Sequence, residues 1–286
     1  MIQERIVNLS LPGGAASFGI LSTPPAQAAS IGVLIVVGGP QYRVGSHRHF
    51  VQLARTLAEA GFACLRFDHS GMGDSPGPVP NFEALDDDIA AALDTFLREQ
   101  SHLEGVVLWG LCDGASAALL YAARRQDPRV RGLALLNPWV RSPQSEARAQ
   151  VSHYYAQRLR SGAFWRKLLQ GGVGWRQLSN WWQTYRRAQS SAPVAAKLPF
   201  PAVMAQGWSR FQGPILLQIA LPDLTAQEFL DTATQSWPDW QSKPQLTRLD
   251  HPSASHTFPA IADKRLVNQQ LLDWLRDAFA VSPSKS

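Results

Sequence analysis

Val106-Val107-Leu108-Trp109-Gly110-Leu111-Cys112-Asp113-Gly114-Ala115-Ser116-Ala117-Ala118-Leu119-Leu120-Tyr121-Ala122-Ala123 runs from a Val/Leu segment through G-x-C-x-G into an Ala-rich stretch. The pattern is strand, sharp turn, helix. Glycines at both flanks let strand and helix cross closely and leave the middle side chain pointing outward, so the motif reads as a nucleophile elbow with cysteine in the serine position. The competing reading makes Cys112 a small buried residue, because unpaired Cys is among the most buried residue types. Cys64, in Phe62-Ala63-Cys64-Leu65-Arg66-Phe67, fits that second description.

Around the elbow the chain alternates apolar strands with helical patterns. Ile6–Leu11 and Ala16–Leu21 alternate with period two about Pro12-Gly13-Gly14, an opening hairpin. Continuous apolar strands are expected at Ile31–Val37, Ala63–Phe67, Val106–Trp109, Gly132–Leu136 and Pro214–Ala220, with a further strand at Gln245–Leu249. Helices are expected at Phe50–Ala60, Asp86–Leu97, Thr225–Trp237 and Asp263–Ala280. Strands apolar throughout, with helices between them, predict a mostly parallel sheet covered on both faces. After Pro138 the rhythm stops for about 70 residues and then resumes. The economical division is a core from 1–139 and 211–286 with an inserted helical cap at 140–210.

That insert concentrates the charge. From Val140 to Arg210 there are eleven Lys and Arg against Glu146 alone, so a chain of net charge +5 carries +10 there and −5 elsewhere. Trp165, Trp175, Trp181, Trp182 and Trp208 lie in the same stretch. It can be a solvated lid with core tryptophans, a lid whose arginines receive a phosphate-bearing acyl carrier such as coenzyme A or an acyl carrier protein, or an amphipathic surface against anionic lipid. No nucleic-acid motif accompanies the charge, so nucleic acid is not an expected partner. Two Cys in 286 residues do not make a disulfide framework. With no signal-peptide pattern and no run of 18 apolar residues, the expected location is the cytoplasm. CxxC, HExxH and a Gly-rich phosphate loop are all missing from the sequence, so no metal or nucleotide cofactor is expected.

A cysteine nucleophile needs a base, an orienting acid and oxyanion donors, each at the C-terminal end of a strand, in the order nucleophile, acid, histidine. Asp223 follows the strand ending at Ala220, with Asn137, Asp231 and Asp239 as competitors; it also opens a helix and can serve as its N-cap. His256 is favoured as base over His251, whose backbone is restricted by Pro252. The Asp113 N–H is one expected oxyanion donor. The second is expected from Gly38-Gly39-Pro40-Gln41-Tyr42, with Gln41 preferred and Gly39 behind it, unless that segment is only a turn. Tyr42, Trp139, Trp181 and Trp182 are the aromatic candidates for lining a substrate pocket. A helix N-terminus and an imidazole both favour a thiolate, and attack on an acyl carbon gives a thioester that suits ester or thioester substrates better than unactivated amides.

With these residues in order, and with Phe67-Asp68-His69-Ser70-Gly71-Met72-Gly73-Asp74-Ser75 after a strand, the chain resembles the α/β-hydrolase superfamily from Val33 to Phe279. More narrowly, Val37–Arg48, Leu108–Ser116, Leu136–Val140, Asp223–Phe229 and His256-Thr257-Phe258 look like the exosortase A system-associated hydrolase 1 group. The narrower resemblance implies a cytosolic hydrolase with a Cys nucleophile, associated with bacterial exopolysaccharide and protein-sorting machinery. The elbow is also similar to that of dienelactone hydrolase, but a cap of this size departs from that enzyme and its substrate is not carried over. The expected activity is that of a Cys-His-Asp acyl hydrolase. Alternatives are an acyltransferase of the same fold and a non-catalytic scaffold that binds an acyl or saccharide ligand.

Overall fold

The computed structural model describes residues 1–26, 28–39, 41–141 and 198–279. The order of elements is β1 (Gln3–Ser10), β2 (Ala16–Thr23), β3 (Ile31–Val36), α1 (His49–Glu59), β4 (Cys64–Phe67), α2 (Asp86–Glu99), β5 (Gly105–Leu111), α3 (Asp113–Arg125) and β6 (Val130–Leu136). After the insert come α4 (Phe200–Arg210), β7 (Ile215–Ala220), α5 (Leu224–Ser236), β8 (Leu246–His251) and α6 (Ile261–Ala278). The eight strands form one sheet in the order β1-β2-β4-β3-β5-β6-β7-β8. β1 and β2 pair antiparallel about the Pro12-Gly13-Gly14 turn, and β2 joins β4 antiparallel. Every later pair is parallel. β3, β5 and β7 are buried along their whole length, as their largely apolar content requires when helices cover both faces, and Gln218 of β7 is the polar residue buried with them.

Chain order reverses direction at β3, whose neighbours are β4 and β5. Strand C-termini at such a switch point open a crevice. The Gly38–Gly39 turn leaves β3 there, and the elbow leaves β5 beside it.

The elbow depends on missing side chains. Cys112 takes φ 59°, ψ −124°, a conformation that costs an L residue about 1–3 kcal/mol. A Cβ on Gly110 would stand 2.4 Å from the Gly114 carbonyl carbon, and one on Gly114 would stand 2.5 Å from the Val36 oxygen. Strand, turn and helix therefore close against β3 at backbone distance. Behind the turn, the Cys112 N–H donates to the Leu136 oxygen at 2.9 Å, and the Trp139 N–H donates to the Cys112 oxygen at 3.2 Å. Ser116 Oγ bonds both the Cys112 and the Trp139 oxygens.

The structure places helix α4, assigned to the insert from its Trp and Arg content, in the same compact unit as the sheet. Gly207 lies flat on α3, where a Cβ would come within 2.8 Å of both the Leu119 oxygen and the Ala123 methyl. Trp208 is buried beside Trp237 and Trp240 and donates its indole N–H to the Trp240 oxygen at 3.2 Å. The compact unit that holds the sheet comprises Met1–Val140 and Phe200–Ser286. Residues 142–197 of the expected cap lie outside the described residues.

Asn137 follows β6 in the left-handed region, φ 45°, and is completely buried. Its amide Nδ2 donates to the His256 oxygen at 3.1 Å, and its Oδ1 accepts from the Ala220 N–H at 2.8 Å. One side chain thus fastens the loop after β8 to the end of β7.

Two substitutions test these contacts. Gly114→Ala is expected to lower unfolding stability in urea by about 2–4 kcal/mol, because its methyl meets backbone that cannot rotate away. Asn137→Ala is expected to cost about 2–3 kcal/mol by leaving the buried Ala220 N–H unpaired. A loss below about 0.5 kcal/mol in either titration would show that the contact is slack.

Candidate active site

Three side chains meet above the C-terminal ends of β5, β7 and β8. Cys112 stands at the elbow, partly exposed, with its backbone lifted from the sheet. Asp223 closes the turn after β7 and N-caps α5, accepting from the Thr225 and Ala226 N–H groups at 3.4 and 3.2 Å. The Asp223 Oδ2 that accepts from Ala226 also lies 2.7 Å from His256 Nδ1. Helix capping and imidazole orientation are therefore carried by one carboxylate. Cys112 acts on the ring as well, and together the two groups push the His256 pKa up to about 10, Asp223 contributing most and Cys112 next, against the effect of burial. Both neighbours favour the protonated form of the ring.

The competing candidates are placed elsewhere. His251 ends β8 buried, its ring edge-on to Phe258 at 5.4 Å, and burial lowers its pKa. Cys64 is fully buried, and its thiol is pushed up to about 12 by desolvation. Asn137 holds loops together as described above. Asp231 lies within α5 and Asp239 in the following turn.

The turn after β3 corrects one expectation. The Gln41 N–H donates to the Gly39 oxygen at 2.8 Å, so it is engaged in closing its own turn. Gly39, at φ 31°, and Gly38 instead pack directly on the elbow. A Cβ on Gly38 would stand 2.1 Å from Asp113 Oδ1, and one on Gly39 would stand 2.2 Å from Asp113 Oδ2. Tyr42 is exposed at 47%. Trp139 is half-buried beside the elbow through its backbone bond to Cys112. Trp181 and Trp182 lie outside the described residues.

Asp68 is a residue whose role the sequence reading left open. Its carboxylate is buried, accepts from the Arg43 backbone N–H at 2.6 Å and the Asp74 N–H at 3.2 Å, and pairs with the Arg43 guanidinium, which also reaches Asp74. The loops after β3 and β4 are pinned to each other in this way. The Asp-x-x-Gly-x-Gly-Asp spacing was the available signal, since a Cβ on Gly73 would stand 2.3 Å from Asp68 Oδ2.

Among the described residues no group of three or more His, Cys, Asp or Glu could hold a metal ion. None of the described helices is long and apolar enough to cross a membrane.

Solved structures share this architecture at low sequence identity. An esterase of Pyrococcus furiosus is 14% identical with a TM-score of 0.64, the alignment covering 97% of this chain and 92% of that one. Est1E of Butyrivibrio proteoclasticus, solved with ferulic acid bound, is 16% identical with a TM-score of 0.62 over 96% of this chain and all of its own. Dienelactone hydrolase of Anabaena variabilis is 17% identical with a TM-score of 0.59 over 97% and 99%. A search of curated proteins finds no significant match. The sequence model of the alpha/beta hydrolase fold matches residues 33–253, most of the chain, and this protein belongs to the α/β-hydrolase family.

Proposed function

We propose that the protein is a cysteine-dependent acyl hydrolase acting on esters or thioesters, with Cys112 as nucleophile, His256 as acid and base, and Asp223 as its orienting partner. The observation that carries this reading is the line of contacts from Asp223 Oδ2 through His256 to Cys112 at the tip of the elbow. The thiolate adds to the acyl carbonyl, and the carbonyl electrons move onto oxygen. That oxygen faces the backbone N–H of Asp113, with Gly39 taking the place of Gln41 as second donor. Collapse expels the alcohol or thiol, which takes the proton from His256, and leaves an acyl-Cys112 thioester.

Acylation removes the charge-supporting sulfur from beside His256, so only Asp223 then holds the ring's pKa up. The ring becomes easier to deprotonate at the stage that needs a base. It takes a proton from water, the hydroxide equivalent attacks the thioester, and the Cys112 thiolate leaves. Because thiolates leave readily, substrates with comparable leaving groups are favoured over amides.

The esterase and hydrolase names of the neighbouring structures support acyl chemistry. The arginine content of the basic, Trp-rich stretch 141–199 suits a phosphate-bearing leaving group such as a coenzyme A or acyl-carrier thioester. The motif resemblance supports a place beside exopolysaccharide and exosortase machinery in the cytoplasm.

Acyl thioesters of N-acetylcysteamine with the wild-type chain are expected to give a covalent adduct at Cys112 by intact mass and peptide mapping. Cys112→Ala and His256→Ala are each expected to lose about 10³-fold or more in kcat/KM. Unchanged turnover in both variants, or an adduct on Cys64, would sink the assignment. A second expectation concerns pH. The His256 pKa is raised from about 6.5 in the unfolded chain to about 10, so its charged contacts contribute stability that is fully present below pH 6.5 and lost as pH rises through 10. The melting-temperature gap between wild type and His256→Ala should narrow across that range; a gap that is flat or widens contradicts the charged ring.

A further inference from the structure

The residue after the proposed nucleophile lays its carboxylate against Gly38 and Gly39, the turn that carries the proposed second oxyanion donor. Asp113 Oδ1 accepts from the Gly114 N–H at 3.1 Å, and its two oxygens press one against each of Gly38 and Gly39. Those glycines bring no side chain of their own, so the carboxylate fills the cleft between the elbow and the turn after β3. Burial raises the Asp113 carboxyl pKa, while the N–H groups of Gly114 and of Asp113 itself and the charge of His256 act against that. The groups that act on it are therefore the N–H donors of the elbow and His256. Arg43, at the same rim, is already paired with Asp68 and Asp74.

We propose that Asp113 is a specificity-determining residue that selects acyl groups bearing a positive charge on the carbon next to the carbonyl, the α-aminoacyl class of esters and thioesters. A neutral acyl group attacked by Cys112 develops its oxyanion against a fixed carboxylate, and the two like charges repel in a partly desolvated cleft. An α-ammonium group stands three bonds from that oxygen. It pairs with the Asp113 carboxylate and offsets the repulsion at the moment the oxyanion forms, which is differential stabilisation of the transition state. The chemistry of the step is unchanged: sulfur bonds to the acyl carbon, the leaving group departs with the His256 proton, and the ammonium keeps all its protons. The inference rests on the Cys112 reading given above.

The test compares N-acetylcysteamine thioesters of alanine and of isobutyrate, which have nearly the same shape and differ in replacing an ammonium by a methyl. Wild type, Asp113→Asn and Asp113→Ala are assayed side by side, with melting temperatures to confirm that each folds. The ratio of kcat/KM for the alanyl over the isobutyryl thioester is expected to fall roughly tenfold or more in both variants, chiefly through faster turnover of the neutral substrate. A ratio unmoved in Asp113→Asn overturns the proposal, and that near-isosteric variant keeps the test open should Asp113→Ala fail to fold. Iodoacetamide labelling located by peptide mapping separates the two readings. Labelling at Cys112 with an unmoved ratio rejects only the role of Asp113, whereas no labelling at Cys112 and full turnover by Cys112→Ala reject the nucleophile as well.

Discussion

Everything at the site hangs on backbone meeting backbone between β3 and the elbow. Gly114 lies against the Val36 carbonyl and Gly110 lies against Gly114, with no room for a methyl at either place. This approach lifts Cys112 into a strained conformation, and α3 begins directly beneath it. It also sets the distance between two loops that come from different strands. If β3 and the elbow were separated by one side-chain radius, Asp113 would no longer touch Gly38 and Gly39, and the cleft beside the sulfur would be open.

The second constraint is the economy of polar contacts around that point. Asp223 caps a helix and holds an imidazole; Asn137 holds the end of β7 and the loop after β8; Asp68 holds the loops after β3 and β4. Each is a small polar side chain, and both Asn137 and Asp68 are buried among backbone groups that would otherwise go unsatisfied. The rim of the site is therefore built from side chain to backbone bonds, which fix position more firmly than contacts between long side chains would. Arg43 adds charge to one of these joints without being free to approach the sulfur.

Most of this was legible in the chain. Val106–Trp109 followed by G-x-C-x-G could hardly be anything other than strand, turn and helix, and the apolar runs at β3 and β7 required a parallel sheet covered on both faces. That Asp223 and His256 lie just beyond strands was legible from the order of the segments, and their mutual contact is what the structure adds. What stayed hidden depends on direction and not on pattern. Nothing in Gly38-Gly39-Pro40-Gln41 says that the Gln41 N–H turns inward to the Gly39 oxygen. Asn137 after β6 reads equally as a stand-in for an acid or as a clasp, because both place a polar group beyond a strand. Helix α4 shares the Trp and Arg content of the insert, and only the flat contact of Gly207 on α3 shows that it packs with the sheet.

The double attachment made by Asn137 has a mechanical corollary. Asp223 enters its turn three residues beyond Ala220, and His256 contributes its own carbonyl to the same amide, so neither loop can drift while the other stays still. Any breathing of the rim moves carboxylate and imidazole as a single lever, preserving their separation while the gap to sulfur changes. Changes in this region would accordingly act on the distance from His256 to Cys112 and leave the pairing of His256 with Asp223 intact.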